Sequence, residues 1–525
     1  MGSTYRVWGW GREAGDEPTT QSLTGLAPVL RDHLGIDVHE PEAPAPLPPL
    51  PADRVGPRLP DQLRALASDD PLDRAAHSLG RAYRDVVRGI RGQIDSPVDC
   101  VLRPRNEDDL ERAIAWCSDQ QVALIPYSGG TSVVGGIEPR GADLGHGAVS
   151  LDLAELSGIV EIDDVSRAVR VRAGTPGPQL EDELRPAGLT ARFYPQSFER
   201  STVGGWVATR AAGHFSTRLT HIDDIVESVR AITPIGLWES RRLPGSGAGP
   251  SPDRMLLGSE GSLGVVTEAW LRVQPRPTER WAATLAADTF RRGGLAVRRL
   301  MHDGLLPATC RLIDARESAV SGTLSTGEAA LVLGFESYGA RVDAEAERVI
   351  SLCTDEGLRV VEAGARGGSG EAWRSSFVRA PYLREQLVLL GLLVETFETA
   401  ITWDRFDSFV ESVSAATDEA LQEICGGGTV TCRLTHVYVD GAAAYFTVTA
   451  PTRRGAEIEQ WDAVKVAASN AVIAAGGTIT HHHAVGRDHH PWYDVQRPAP
   501  FAAALRAAKA AVDPRGVLNP GVIAS

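Results

Sequence analysis

Three consecutive histidines, His481, His482 and His483, form the densest run of proton-exchanging side chains in the sequence. Imidazole titrates near neutral pH, so such a run suits proton relay or hydrogen bonding to an anion. The preceding Thr478–Thr480 reads as a strand. In an extended chain His481 and His483 share one face and His482 takes the other. One metal ion then cannot collect all three unless the backbone turns, although Asp488, His489 and His490 follow closely enough to add ligands. The expectation is imidazoles without a metal.

A second chemistry lies in three glycine-rich clusters. The first, Pro126-Tyr127-Ser128-Gly129-Gly130-Thr131-Ser132, is entered from apolar Ala123-Leu124-Ile125 and followed by Gly135-Gly136. The second is Gln196-Ser197-Phe198-Glu199-Arg200-Ser201-Thr202-Val203-Gly204-Gly205, and the third Gly258-Ser259-Glu260-Gly261-Ser262-Leu263-Gly264-Val265-Val266. Turns of glycine and small hydroxyl residues let successive N–H groups converge on an anion with no Cβ in the way. None is a GxGxxG opening a helix, and GxSxG and HExxH are absent, so a Rossmann site and two common hydrolase sites lack support. The only lysines are Lys465 and Lys509. Neither follows a glycine-rich loop, which excludes a Walker-type phosphate loop, and a Schiff-base lysine would have to be one of the two.

Strands and helices must hold these clusters. Residues 1–95 hold a Pro-rich stretch, Glu40–Pro60, that reads as extended, then show helical spacing at Leu63, Leu66, Ala67, Leu79, Ala82, Val86, Val87 and Ile90. From 96 to 276 short β-rich runs alternate with helices. Strands are expected at Val98–Leu102, Val122–Pro126, Ala148–Leu153, Gly158–Asp163 and Ala168–Ala173, with the last two paired through Asp163-Asp164. Helices are expected at Glu107–Gln120, capped by Asn106, and at Pro176–Arg185. A second α+β unit spans 277–455, with helices Phe290–Asp303 and Asp343–Glu356 and strands Ala330–Glu336 and Ala443–Thr449. Residues 456–525 read as a helix (Glu457–Ala475), the His-rich loop and a terminal helix returning to the first unit. The fold class is α+β.

Several motifs carry a family resemblance. PYSGGTS (126–132), STVGGWVATRAAG (201–213), LLGSEGSLGVVTEA (256–269) and DPRGVLNPG (513–521) resemble the FAD-binding vanillyl-alcohol oxidase family, with its PCMH-type domain and a cap domain. The resemblance covers about 97–525. Within that family, ATCRLID (308–314), YLRE (382–385), ETFETAITWDR (395–405), TCRLTHVYVDGAAAYF (431–446) and THHHAVG (480–486) are similar to the alkyldihydroxyacetonephosphate synthase branch. Trp8-Gly9-Trp10-Gly11 resembles its N-terminal segment.

The resemblance implies FAD, with its pyrophosphate on Pro126–Ser132 and further contacts from Gln196–Thr202, Thr209, Arg210, Ala211, Ala212 and Glu260–Val266. It implies exchange of the acyl group of acyl-dihydroxyacetone phosphate for a fatty alcohol, with flavin N5 holding the substrate carbon and no net oxidation. The partners are then a phosphate-bearing lipid and a fatty alcohol, and the assembly a homodimer. Arg384 matches the substrate-binding arginine, a planar donor suited to a phosphate dianion. Arg311 matches a second position, expected to support the geometry of the site. Tyr445 matches the acid/base; a free phenol titrates at about 10, so its neighbours must activate it. His481, His482 and His483 then relay protons or bond the phosphate and flavin. Relatives that tether FAD on the first loop carry histidine where this chain has Thr131, and the second cluster has no cysteine, so the FAD is expected to be bound non-covalently. Gln196 stands where animal enzymes have an acidic residue, and Arg487-Asp488-His489-His490-Pro491-Trp492 departs from a more basic family segment.

Composition narrows the alternatives. A length of 525 residues implies two to four domains. With 53 basic and 68 acidic residues the net charge is −15, and there is no basic block, which argues against general nucleic-acid binding. Six cysteines without a CxxC pair read as buried thiols in a reducing compartment. No basic stretch followed by an apolar run opens the chain, and the longest apolar run, Leu387–Val394, is too short to span a bilayer. A cytoplasmic protein with peripheral lipid contact is expected, and that run is either part of an apolar groove or a core helix. Two competing functions remain: an FAD-dependent oxidase or dehydrogenase of a 2-hydroxy acid or alcohol, and a flavin-binding scaffold without turnover. The absence of a Gly-Glu-His-Gly pattern near the C-terminus opposes the first.

Overall fold

The computed structural model describes residues 6–11, 20–140, 145–364 and 380–523. The expected strands from Cys100 to Arg172 form, within a residue or two of the anticipated limits. Ala67–Ser68, Cys100–Leu102, Ala148–Asp152 and Ala123–Tyr127 make a four-stranded sheet in that order. Cys100–Leu102 and Ala123–Tyr127 both run parallel to Ala148–Asp152, which lies between them and is buried along its whole length. The helix Glu107–Gln120 covers this sheet, and Asn106 caps it by accepting from Asp109 N at 2.9 Å. A five-stranded antiparallel sheet follows, in the order Ile159–Asp163, Ala168–Arg172, Val265–Arg272, Val226–Thr233, Gly236–Glu239. Its first two strands pair as expected. One apolar core joins these two sheets and includes Leu124, Val149, Val171, Trp206 and Leu271.

The second unit is an eight-stranded antiparallel sheet. Its main order is Arg359–Gly364, Glu279–Ala287, Ala329–Ser337, Thr309–Ile313, Thr429–Val437, Gly441–Pro451, Leu392–Glu398, and Ile401–Thr402 also pairs with Gly441–Pro451. Helices Phe290–His302, Asp343–Asp355, Phe406–Cys425 and Glu457–Ala474 contribute to the apolar core of this sheet through Val297, Val349, Val413 and Val464.

The helix Thr20–Leu34, with Pro28 inside it, precedes the Pro-rich stretch read as extended and is not among the expected elements. Three sequence readings are corrected. Leu66 and Ala67 are not helical: Ala67–Ser68 is a short strand paired with Val101–Leu102. The apolar run Leu387–Val394 is not one helix, and its two ends, Leu387 and Val394, line a cavity described below. The run comprises the end of a helix over 380–389, a turn at Leu390-Gly391, and the start of strand Leu392–Glu398. Thr478–Thr480 is not a strand, because its backbone folds around a buried carboxylate described below.

Residues before 95 belong to neither unit alone. Leu59, Leu63 and Leu66 enter the first core, whereas Leu23, Leu30, Tyr83 and Val86 enter the second. Residues 6–11 wedge between the units. Arg6 pairs with Glu385 at 3.0 Å, and Trp10 N donates to the same carboxylate at 2.7 Å. Arg200 Nη1 donates to Gly9 O and Trp10 O at 3.3 and 3.5 Å. No helix among the described residues is long and apolar enough to cross a membrane. The six cysteines are unpaired, and all but Cys425 are buried.

Candidate active site

The three glycine-rich clusters meet in one cavity of about 610 Å³ between the two units. Ser128 Oγ and Thr202 Oγ1 lie 2.6 Å apart, joining the first cluster to the second. A Cβ on Gly129 would stand 2.2 Å from Arg200 O, so this approach requires glycine. The third cluster packs on the first: a Cβ on Gly261, at φ +75°, would meet Pro126 Cγ at 2.7 Å. The C-terminal tail locks the assembly. Leu124 N donates to Val517 O, and Asn519 N donates to Leu124 O. Asn519 Nδ2 donates to Glu260 O at 2.7 Å and to Gly136 O at 3.0 Å. Its buried Oδ1 lacks a protein partner and Asn519 lines the cavity.

Of the residues expected to touch a cofactor, Pro126–Ser132, Gln196, Ser197, Ser201, Thr202, Thr209, Ala211, Ala212, Glu260, Gly261, Gly264, Val265 and Val266 line this cavity. Six do not. Phe198, Glu199 and Arg200 face a neighbouring cavity of about 350 Å³, which shares Trp10, Pro195, Gln196, Ser197 and Pro381 with the first. Arg210 turns away to Asp223, 2.8 Å from its Nη2. Ser262 bonds back to Ser259 O, and Leu263 is buried in the first core.

The eight-stranded sheet supplies Arg311, Arg433, Thr396, His436 and Tyr445 to the lining, and the helix over 380–389 adds Arg384. Arg384 Nε donates to Val394 O at 3.1 Å, and its Nη2 lies 3.3 Å from Glu395, a carboxylate shared with Lys465 at 3.2 Å. Arg311 is fully buried and donates to His214 O. Burial and the nearby Arg433 charge push it down to about 9. Arg433 pairs with Glu317 and stacks over the Tyr445 ring, its Cζ 3.9 Å from the centroid. Burial raises the Tyr445 phenol, and Arg433 opposes that shift, so Tyr445 holds its proton at neutral pH. The neighbours therefore make it a proton donor at rest and do not activate it as a base. Three guanidiniums against Glu317 and a shared Glu395 leave this part of the lining net positive.

Part of the lining is apolar: Leu26, Leu30 and Leu34 from helix Thr20–Leu34, with Leu383 and Leu387. Leu26, Leu30 and Leu34 sit four residues apart, so the helix turns one face toward the cavity.

The histidine run is organised by Glu398, which the sequence reading did not single out. Its carboxylate accepts from Thr480 Oγ1 at 2.6 Å, His482 N at 3.0 Å and His483 N at 2.7 Å, and also from His481 N. Burial alone would raise this carboxyl, but the hydrogen bonds that converge on it, from Thr480 and the three amides, hold it well below the usual range. The fixed anion pulls three successive amides to one point, which curls the backbone and removes the expected alternation. His482 and His483 line the cavity. His481 lies behind them, its Nδ1 3.0 Å from His482 Nδ1 and its Nε2 2.7 Å from Tyr438 Oη. Burial pushes His481 down to about 3 and holds His482 and His436 well below the ordinary imidazole value, so these rings are neutral. Nitrogens of His436, His481 and His482 come within 4.8 Å of one another, close enough for a metal ion. Each ring is already engaged: His436 Nε2 lies 2.8 Å from Gly213 O, and the other two bond each other. Asp488, His489 and His490 stand apart: Asp488 pairs with Arg140 at 2.7 Å, His489 Nδ1 lies 3.0 Å from Ala484 O, and His490 approaches Asp494.

Residues 98–240 match the FAD binding domain family, and residues 276–523 match the family of FAD linked oxidases, C-terminal domain. The chain thus carries an FAD binding domain and an FAD-linked oxidase C-terminal domain. Its cofactor is FAD. The glycine-lined cradle, closed to any Cβ at Gly129, and the unsatisfied Asn519 Oδ1 fit that group. This flavoprotein is 27% identical over 488 residues to the alkyldihydroxyacetonephosphate synthase of Dictyostelium discoideum, covering 88% of this chain and 78% of that one. It is 29% identical over 482 residues to the Caenorhabditis elegans protein of the same name, covering 86% and 80%. A solved alkyldihydroxyacetonephosphate synthase structure superposes with a TM-score of 0.79 at 22% identity, covering 98% of each chain, and shows the shared fold.

Proposed function

We propose that this flavoprotein exchanges the acyl group of acyl-dihydroxyacetone phosphate for a long-chain alcohol, forming an ether-lipid precursor. The observation that carries the reading is the mixed lining of one cavity: guanidiniums of Arg311, Arg384 and Arg433, leucines of helix Thr20–Leu34 with Leu383 and Leu387, and the glycine-rich FAD cradle. A dianionic head group and an aliphatic chain are complementary to the guanidiniums and the leucines respectively. The similarity to proteins named alkyldihydroxyacetonephosphate synthase supports the same assignment.

In this reading Pro126–Ser132 hold the FAD pyrophosphate through main-chain amides, and Glu260, Gly261 and Asn519 close over it. The FAD is non-covalent, because Thr131 offers no ring nitrogen for a tether. Reduced FAD supplies the electron-rich ring that the C–O exchange requires. Arg384, Arg311 and Arg433 bind and orient the phosphate. Tyr445 Oη donates a proton, and His482 and His483 take up or deliver protons at the reacting carbon's oxygens. The leucines exclude water, which would otherwise compete with the alcohol.

The deciding experiment incubates the purified, FAD-loaded protein anaerobically with acyl-dihydroxyacetone phosphate and labelled hexadecanol. Labelled ether product with no net flavin reduction is expected. Lasting bleaching of the flavin by a 2-hydroxy acid or simple alcohol, with no ether product, would replace this reading with an oxidase or dehydrogenase.

A further inference from the structure

The exchange reaction carries a proton problem that the cavity must solve. At neutral pH, acyl ester plus alcohol gives ether plus carboxylate plus one proton. The alcohol O–H bond breaks, the new C–O bond forms, the acyl C–O bond to the reacting carbon breaks, and the proton must reach bulk water. The leucines offer no acceptor. Glu398 is fixed as an anion by three amides and a hydroxyl, which leaves it unable to pass a proton on.

A chain of hydrogen-bonding groups does leave the cavity elsewhere. It starts at His482, which lines the cavity, and passes to His481 through the 3.0 Å contact of their Nδ1 atoms. His481 Nε2 lies 2.7 Å from Tyr438 Oη and 3.2 Å from His221 Nε2. Tyr438 Oη continues to Thr220 Oγ1 at 3.4 Å, and Thr220 Oγ1 to Asp224 Oδ2 at 3.5 Å. Tyr438, His221 and Asp224 are half-buried, and the neighbouring Val439 is 61% exposed, so the chain ends at the surface. The links bring together residues from the His-rich turn, the end of strand Thr429–Val437 and the start of helix Ile222–Ile225. Three of these elements lie far apart in sequence, yet each contributes a group that both accepts and donates.

We propose that His482, His481, Tyr438 and His221 form an exit path that carries the proton released in each turnover from the cavity to solvent at Thr220–Asp224. The inference rests on the exchange reaction above. His482 accepts at Nε2 and releases from Nδ1; His481 accepts at Nδ1 and releases from Nε2; Tyr438 or His221 receives that proton and hands it outward. Because burial keeps both rings neutral, the proton moves through by exchange of tautomers and is not stored as imidazolium. Tyr438 and His221 are positioning and relay groups; neither lines the cavity.

Two readouts test the path, one without turnover. In holoenzyme labelled with ¹⁵N-histidine, Tyr438→Phe is expected to slow deuterium exchange of the His481 and His482 ring protons about tenfold or more, with FAD uptake unchanged. In the ether-forming assay the same variant is expected to lower kcat about tenfold, leave both KM values in place and raise the solvent deuterium isotope effect, with partial rescue by added imidazole. Thr220→Val, which removes only the outer hydroxyl, is expected to give a smaller change in the same direction. Unchanged exchange in Tyr438→Phe overturns the path, as does a kcat loss with neither an isotope effect nor imidazole rescue. If wild-type protein makes no ether, the exchange reading fails, and the ring-proton measurement still decides whether the path exists.

Discussion

The two walls of the cavity are built on opposite principles. The FAD-binding side works through backbone: glycines and small hydroxyl residues in three contiguous clusters let loops approach one another to distances at which any Cβ would collide. The cap side works through long charged side chains from separate elements, Arg311 and Arg433 on two strands and Arg384 on the helix over 380–389, held by partners such as Glu317 and Glu395. A backbone site tolerates no added atom, whereas a side-chain site tolerates loss of one group at a graded cost. The two walls should therefore fail differently.

The largest effect is expected on the backbone side. Gly129→Ala places a methyl 2.2 Å from Arg200 O and should abolish FAD retention, read as loss of flavin absorbance after gel filtration of a folded protein. Full retention would erase the contrast between the walls. Next comes Glu398→Gln, which turns an NH₂ donor toward three backbone N–H donors. Ether formation should fall about 100-fold while FAD stays bound, because the histidine turn loses its anchor. Smaller still is Arg433→Lys. It loses the planar stack on Tyr445 and a forked donor, so KM for the phosphate-bearing substrate should rise about tenfold with KM for the alcohol unchanged.

The smallest effect concerns pH and sits where the walls meet. Burial raises Glu260 to about 7, opposed by the Val485 and Gly486 amides. The native state thus binds a proton that the unfolded chain releases near its ordinary carboxylate value of about 4.3. Stability from this group is fully present below that value and is lost as pH rises through about 7. Between pH 5 and 8 the wild-type Tm should fall by about a few degrees on this account, and Glu260→Gln should flatten that slope. An unchanged slope would assign the pH dependence to another buried acid, such as Asp85, which burial also raises to about 7.

What could be read in the sequence follows the same division. The glycine clusters and their flanking strands are contiguous, so Pro126–Ser132 and Gly258–Val266 were visible as loops for an anion before any contact was known. Tyr445, Arg311 and Arg384 entered only by resemblance, since a lone arginine among many carries no local signal. Arg433, Glu398, Tyr438 and His221 were missed. Their roles depend on pairings across the eight-stranded sheet and on contacts spanning up to 260 residues. Arg433 stands opposite Tyr445 in the strand register, a signal available only once Thr429–Val437 is aligned with Gly441–Pro451. The histidine turn misled for a related reason: local β-propensity favoured an extended chain, and a buried anion 83 residues away overrode it.

The wedge of residues 6–11 has a consequence for biosynthesis. Arg6 and Trp10 find their carboxylate partner, Glu385, 379 and 375 positions later in the chain. Residues 6–11 thus wait until the segment carrying Glu385 has been made before they can dock. Closing that long loop is entropically slow, and the cavity wall formed by Trp10 is completed only after the cap has folded. On the ribosome, residues 6–11 settle only after Glu385 has emerged.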